Sequence, residues 1–143
     1  MKNYLLICLL LTGLIAISCK KDEVVSSEVK YTAALTGAQE VPAFTTTATG
    51  TFEGVFNTNT KILSYTVTYT GVTPTAWHLH KGAAGVAGGV VFDLGTSFTS
   101  PYTGVTVALT SEQEAGLVGG LFYANIHSLK SPSGEIRGQI TKK

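Results

Sequence analysis

Hydrophobic and polar residues alternate along most of the chain after residue 28, which is the period-two pattern of half-buried β-strands. The clearest case is 62–70, where Leu63, Tyr65, Val67 and Tyr69 alternate with serine and threonine. The alternation predicts strands at 29–36, 50–57, 62–70, 75–80, 90–94, 103–109, 121–128 and 134–141. The polar run 57–60 predicts a tight turn that joins two of these strands as a hairpin.

One segment, 111–118, departs from this period and predicts a short helix. Ser111 with Glu114 has the form of a capping box, which places Ser111 at the N-cap, and Gly119 with Gly120 ends the helix. About eight strands with short turns and one helix predict a single all-β domain, either a Greek-key β-sandwich or a small barrel.

The first 18 residues have the form of an export signal. Lys2 precedes an apolar run at 4–17, which is shorter than the roughly 20 residues of a membrane span. The run ends in Ala-Ile-Ser-Cys, which resembles a lipobox, and we expect cleavage before Cys19 and lipid attachment to it. Residues 19–28 would then be a tether and 29–143 the β domain. An ordinary signal peptide with a chance cysteine is the alternative.

The charged run 20–23 is similar to the signal that directs some Gram-negative lipoproteins to the outer face of the outer membrane. A solvated linker is the alternative interpretation of the same charges. We expect an exported protein, lipid-anchored to the bacterial outer membrane and exposed at the surface if the charged run is that signal.

Composition excludes several classes of function. Charged residues make up 13% of the chain and the formal net charge is +1, so we expect no nucleic-acid partner. The two cysteines, Cys8 and Cys19, both precede the predicted β domain. A domain without cysteine can have neither a disulfide, nor thiol catalysis, nor cysteine-ligated metal.

Three predicted strands each carry unusual polar residues on one face, because side chains two apart share a face. The residues that share faces are His78 with His80, Asn125 with His127, and Glu135 with Arg137 and Gln139. The Gly- and Ala-rich segment 82–89 follows the first pair and predicts either a mobile connection or a loop that lines the histidine face.

Two readings of these residues remain open. The metal reading assigns His78, His80 and His127 to a zinc or copper site, with Glu135 as a candidate fourth ligand. The structural reading places the histidines in a polar network with Asn125, Glu135, Arg137 and Gln139, in which Arg137 pairs with Glu135. No nucleophile elbow and no pair of acids suited to glycoside hydrolysis is evident, so we assign no catalytic residue.

The order of motifs resembles the CHRD domain family, which is named from chordin. The resemblance rests on His-x-His-x-Gly at 78–82, Leu-Thr-x-x-Gln at 109–113, Tyr-x-Asn-x-His at 123–127 and Gly-Glu-Ile-Arg-Gly-Gln at 134–139, and it covers 29–141. It implies a small all-β domain outside the cytoplasm. In chordin such domains belong to a protein that binds growth factors.

We expect a non-enzymatic binding or structural module whose partner is a protein or a glycan, because the chain combines a lipoprotein signal and a compact β domain with no complete catalytic set. A metal-binding protein is the alternative. A metal enzyme is a third reading, because the His-x-His strand also resembles that of copper-zinc superoxide dismutases.

Overall fold

The computed structural model describes residues 27–143, and within them the predicted all-β domain is confirmed. The predicted signal peptide and the lipidation site at Cys19 lie outside the described residues. Within 27–143 no helix combines the length and the apolar character needed to cross a membrane.

Nine strands, one α-helix and one turn of 3₁₀ helix form the domain. The strands are β1 Glu28–Thr36, β2 Thr49–Asn57, β3 Ile62–Thr70, β4 Pro74–Lys81, β5 Gly89–Asp93, β6 Tyr102–Val105, β7 Phe122–Ser128, β8 Ile136–Gln139 and β9 Thr141–Lys142. Helix α1 is Ser111–Val118 and the 3₁₀ turn is Gly37–Gln39.

The strands form one antiparallel sheet that curls into a half-barrel. Its order is β5-β4-β7-β8-β1-β2-β3-β6, and the short β9 pairs with β1. Strands β1, β2 and β3 follow one another as neighbours, whereas β7 lies between β4 and β8. This order brings 74–81, 122–128 and 136–139 together, which are the three segments that carry the unusual polar residues.

The hydrophobic core covers one face of the curled sheet. Its largest fully buried side chains are Trp77, Tyr31, Phe52, Phe56, Phe122, Leu35, Leu63, Leu79, Leu117, Ile126, Ile136 and Ile140. Burial of each large apolar side chain contributes about 1.5–3 kcal/mol. Because Trp77 and Leu79 are both held in the core, the alternating residues His78 and His80 must point to the opposite face.

Two predicted strands are shorter in the structure. The segment predicted as 103–109 keeps its ladder only to Val105, because the Thr106 hydroxyl accepts a hydrogen bond from the backbone N–H of Leu63 (3.1 Å) and interrupts regular pairing. The segment predicted as 134–141 begins as a strand at Ile136. The cause is Gly134, whose φ of 135° bends the chain just before the strand.

The predicted cap of the helix is wrong by one residue. The N-cap is Thr110, whose hydroxyl accepts from the N–H of Gln113 (3.2 Å), while the Gln113 side chain accepts from the N–H of Thr110 (2.9 Å). Ser111 is the first residue of the helix. Both Thr-x-x-Gln and Ser-x-x-Glu satisfy the capping-box pattern, so the two registers compete in the sequence.

Candidate metal site

The pairing of β4 with β7 assembles the three histidines on one face of the sheet. Ala76 lies opposite His127, and His78 lies opposite Asn125. Directly opposed residues of an antiparallel pair point to the same face with Cβ atoms about 4.5–5.5 Å apart. His78, His80 and His127 therefore meet on the face away from the core, as the metal reading requires.

The three rings are close enough to share one ion. One ring nitrogen from each histidine lies within 4.8 Å of the other two. His78 Nδ1 and His127 Nε2 are hydrogen-bonded to each other at 3.0 Å. Four-coordinate zinc with Zn–N bonds of about 2.0–2.1 Å separates its ligand nitrogens by about 3.3 Å. That spacing lies between the 3.0 Å of the His78–His127 pair and the 4.8 Å limit of the cluster.

Backbone carbonyl groups fix the tautomers of two rings. His127 Nδ1 lies 2.9 Å from the Pro132 carbonyl oxygen, and His80 Nδ1 lies 3.0 Å from that of Gly88. A carbonyl oxygen can only accept, so Nδ1 carries the proton in both rings and Nε2 carries a lone pair. This arrangement is typical of metal-ligating histidines, whose second N–H is held by a carbonyl or carboxylate.

The lone pair of His80 has no protein partner. His80 is 8% exposed, and its Nε2 is buried without a hydrogen bond. The ring stacks on Tyr123 with a centroid separation of 4.8 Å and an angle of 6° between planes. The ring is thereby held in place while its Nε2 remains available as a ligand.

The environment keeps two of the histidines neutral. Burial lowers the pKa of the His80 imidazole and that of the His127 imidazole, and the nearby His78 lowers both pKa values further. The hydrogen bonds to backbone carbonyls oppose this shift of the pKa in part. Neutral imidazole is the form that binds a metal ion, so burial favours the binding form of His80 and of His127.

Glu135 is not the fourth ligand. It lies in the bend before β8 and is fully buried, and its carboxylate accepts hydrogen bonds from the hydroxyl groups of Thr46 (2.8 Å) and Ser128. The group that could hold a metal in 27–143 contains the three histidines only. Because His78 and His127 are half-buried, solvent can reach the site and supply a water ligand.

The predicted pair of Arg137 with Glu135 is also wrong. The Arg137 guanidinium donates from Nη2 to the carbonyl oxygens of Ala83 (3.1 Å) and Val86 (3.0 Å), and its Cζ lies 3.4 Å from the centre of the Tyr123 ring. In the described part of the chain no carboxylate forms an ion pair with it. The bend at Gly134 separates Glu135 from the face on which Arg137 lies.

The segment 82–88 covers the polar face, which is one of the two roles open to it from the sequence. Four side chains of that face hold its backbone. His80 and Tyr123 contact Gly88, Arg137 contacts the two carbonyl groups named above, and Gln139 Nε2 donates to the Gly82 carbonyl oxygen (3.0 Å). The segment therefore supports His80, because the Gly88 carbonyl orients its ring.

Glu40, which the sequence did not indicate, lies outside the histidine cluster and contacts Asn125. Its Oε1 accepts a hydrogen bond from Asn125 Nδ2 at 2.7 Å, and Glu40 is 9% exposed. Burial raises the pKa of this carboxyl to about 7, against the lowering effects of Arg137 and of the Val41 N–H. Glu40 lies 85 residues from Asn125 in a loop without periodicity, so no sequence pattern connects the two.

Asp93, the acid nearest the histidine strand in sequence, lies outside the histidine cluster. It lies opposite His78 in β5, but its Oδ1 accepts from the Gly95 N–H at 2.8 Å.

Comparison with known proteins identifies the family. No curated protein and no solved structure matches the chain significantly. The family model described as CHRD domain matches residues 31–140, which include every strand that carries a site residue. This chain belongs to the CHRD domain family.

Proposed function

We propose that this CHRD domain binds a divalent transition-metal ion, zinc or copper, through His78, His80 and His127. One observation carries the proposal. The buried Nε2 of His80 has no hydrogen-bond partner, and His80 belongs to a cluster in which one nitrogen of each histidine is within 4.8 Å of the others.

A purely structural role accounts for this arrangement less well. A buried polar atom without a partner costs about 1–3 kcal/mol, and most buried polar groups are paired for that reason. A framework of histidines would be expected to pair His80 Nε2 with a donor. A metal ion removes the cost because the lone pair becomes a ligand bond.

The test is thermal unfolding of the purified protein, without a His tag, at pH 7.5 with chelator, zinc or copper. At a metal concentration of about 100 times Kd, a ligand that binds only the folded state adds about 2.7 kcal/mol of stability. That gain corresponds to a rise of several degrees in Tm for a domain of this size. His127→Ala should abolish the rise. The gain should also shrink as protons compete with the metal, and because burial lowers the pKa of His80 and of His127 this loss should set in below the ordinary histidine value of about 6.5.

Asp93→Asn is the matched control. It removes a carboxylate adjacent to His78 but retains an oxygen acceptor for the Gly95 N–H, so the metal-dependent rise in Tm should persist. If neither metal moves Tm of the parent at pH 7.5, the histidines are framework. In that case His127→Ala should destabilise the metal-free protein by itself.

We also propose that the domain is a non-enzymatic binding or structural module, anchored to the bacterial outer membrane by lipid at Cys19. Membership of the CHRD family supports the first part, because such a domain suggests a module for binding or structure. The lipobox-like Ala-Ile-Ser-Cys ending of the export signal supports the second. A protein or glycan is the partner class, and the metal would then stabilise the face presented to it.

A further inference from the structure

Two buried side-chain atoms in residues 27–143 have no hydrogen-bond partner. They are His80 Nε2 and Asn125 Oδ1. Asn125 lies opposite His78 in the β4–β7 pair and two residues before His127, so it shares the face of all three histidines. The two unpaired atoms thus belong to neighbouring positions of one site.

The amide of Asn125 is held in one orientation. Its Nδ2 donates to Glu40 Oε1 at 2.7 Å, and a rotated amide would set two oxygens against each other. Gly134 makes room for this pair, because a Cβ there would lie 2.4 Å from Asn125 Nδ2 and 2.6 Å from Glu40 Oε1. Asn125 Oδ1 is therefore held on the side of the amide away from Glu40, as an acceptor without a donor.

We propose that Asn125 Oδ1 accepts a hydrogen bond from a water molecule that completes the coordination of the metal bound by His78, His80 and His127. This inference rests on the proposed function. Three protein ligands leave a position on zinc that water fills, and a metal-bound water is a strong donor. One hydrated ion thus supplies partners for both unpaired atoms.

The inference also defines the class of ion. The site takes a divalent ion that retains a water ligand, Zn²⁺ or Cu²⁺. Copper(I) is selected by soft thiolate and thioether ligands, and neither cysteine nor methionine occurs in residues 27–143.

The experiment compares zinc affinity in the untagged protein and two variants, by calorimetry. Asn125→Leu removes the acceptor with little change in volume, and removal of an outer-shell partner lowers metal affinity by about 10–100-fold. Glu40→Gln is the matched control. The glutamine side-chain oxygen still accepts from Asn125 Nδ2, so affinity should stay within about twofold of the parent by the same argument.

Cobalt(II) gives a second readout, because its visible absorption depends on the ligands and on their geometry. The Asn125→Leu protein should show altered bands, and Glu40→Gln should show those of the parent. If Asn125→Leu does not fold, the double variant Glu40→Gln with Asn125→Asp retains both an acceptor and a hydrogen-bonded pair. Its zinc affinity should equal or exceed that of the parent, and a tenfold loss would overturn the inference.

The outcomes separate the two proposals. Suppose that the parent binds zinc and that Asn125→Leu has the same zinc affinity and the same cobalt spectrum. That result would overturn the role of Asn125 but leave the three-histidine site in place. Equal losses in Asn125→Leu and Glu40→Gln would also overturn the role of Asn125, because Glu40→Gln leaves Asn125 Oδ1 in place and the loss would then not depend on that atom. If the parent protein binds no metal, both the three-histidine site and the role of Asn125 are wrong.

Discussion

At the scale of single residues, Glu40 shows how the polar face combines burial with hydrogen bonding. Its carboxyl group is almost out of water, and Asn125 is its side-chain partner. An ionised carboxylate in that position loses more hydration than Asn125, the Val41 N–H and the nearby Arg137 replace. The raised pKa expresses this loss.

Glu40→Gln should therefore stabilise the protein at high pH and change little at low pH. The pKa of the carboxyl rises from 4.5 to about 7 on folding. Below pH 4.5 the group is neutral in both states, and as pH rises through 7 the folded protein has to bury a charge that the unfolded chain exposes to water. At 1.36 kcal/mol per pKa unit, the variant should gain roughly 1–3 kcal/mol at pH 8. Urea unfolding at pH 4.5, 6 and 8 measures the gain, and a gain independent of pH would contradict this assignment.

Arg137 provides a second case, in which stability depends on shape as well as charge. Arg137→Ala should lower the free energy of unfolding by about 2–4 kcal/mol, because it removes a cation–π contact with Tyr123 and the donors to two loop carbonyl groups. Arg137→Lys should recover only part of that loss, since an ammonium group cannot both stack on a ring and reach two acceptors. Denaturant unfolding of the parent and both variants measures these differences in the free energy of unfolding. Full recovery by lysine would show that charge alone matters.

The residues of the polar face differ in how far the sequence could predict them. The shared face of His78 and His80, and of Asn125 and His127, follows from strand alternation alone. The partners of Arg137 could not be predicted, because Ala83 and Val86 lie 54 and 51 residues away and contribute only backbone atoms. Strand alternation could not predict the position of the Glu135 side chain, because the bend at Gly134 precedes the regular strand.

At the scale of elements, the segment that covers the histidines depends on one close approach of backbone to backbone. A Cβ at Gly88 would lie 1.7 Å from the Lys81 carbonyl oxygen, which cannot move without disturbing β4. Gly88→Ala should thus shift the segment, deprive His80 of its acceptor and lower both Tm and zinc affinity. Gly89→Ala is the control, because nothing lies within 4 Å of a Cβ there. Calorimetry and thermal unfolding compare the two, and equal behaviour would show that the segment does not support His80.

Helix α1 offers a direct test of its cap. Thr110→Ala should cost about 1 kcal/mol, since the hydroxyl satisfies an N–H of the first turn. Ser111→Ala should change stability by less than about 0.5 kcal/mol, as is usual for an exposed side chain without such a role. Denaturant unfolding measures both. The reverse ranking would restore Ser111 as the cap.

Elements were easier to predict than their ends. The run 62–70 is a strand over the predicted residues because alternation there is uninterrupted. Strand β6 ends early because a threonine hydroxyl replaces a ladder partner, and that substitution depends on Leu63, 43 residues away. Local periodicity therefore identifies strands, whereas long-range hydrogen bonds determine where they stop.

At the scale of the whole molecule, the anchor and the folded domain should be separable. Cys19→Ser should abolish lipid attachment and membrane partitioning without changing Tm, because the two cysteines of the chain both precede residues 27–143. Detergent phase partitioning and thermal unfolding test the two halves of this expectation. A variant that remains lipid-modified would contradict the predicted lipobox.

The pairing of β4 with β7 also has a consequence for the lifetime of the folded state. His78 and His127 are 49 residues apart in sequence, so their contact forms only after a long stretch of chain has closed. A metal ion that joins them therefore has no complete site to bind until these strands are paired. Such an ion would bind only after the two strands have paired. It would therefore leave the folding rate nearly unchanged and slow unfolding. If the protein is exported as we propose, an unfolded chain meets no ATP-dependent chaperone, and slow unfolding is then the form of stability that matters most.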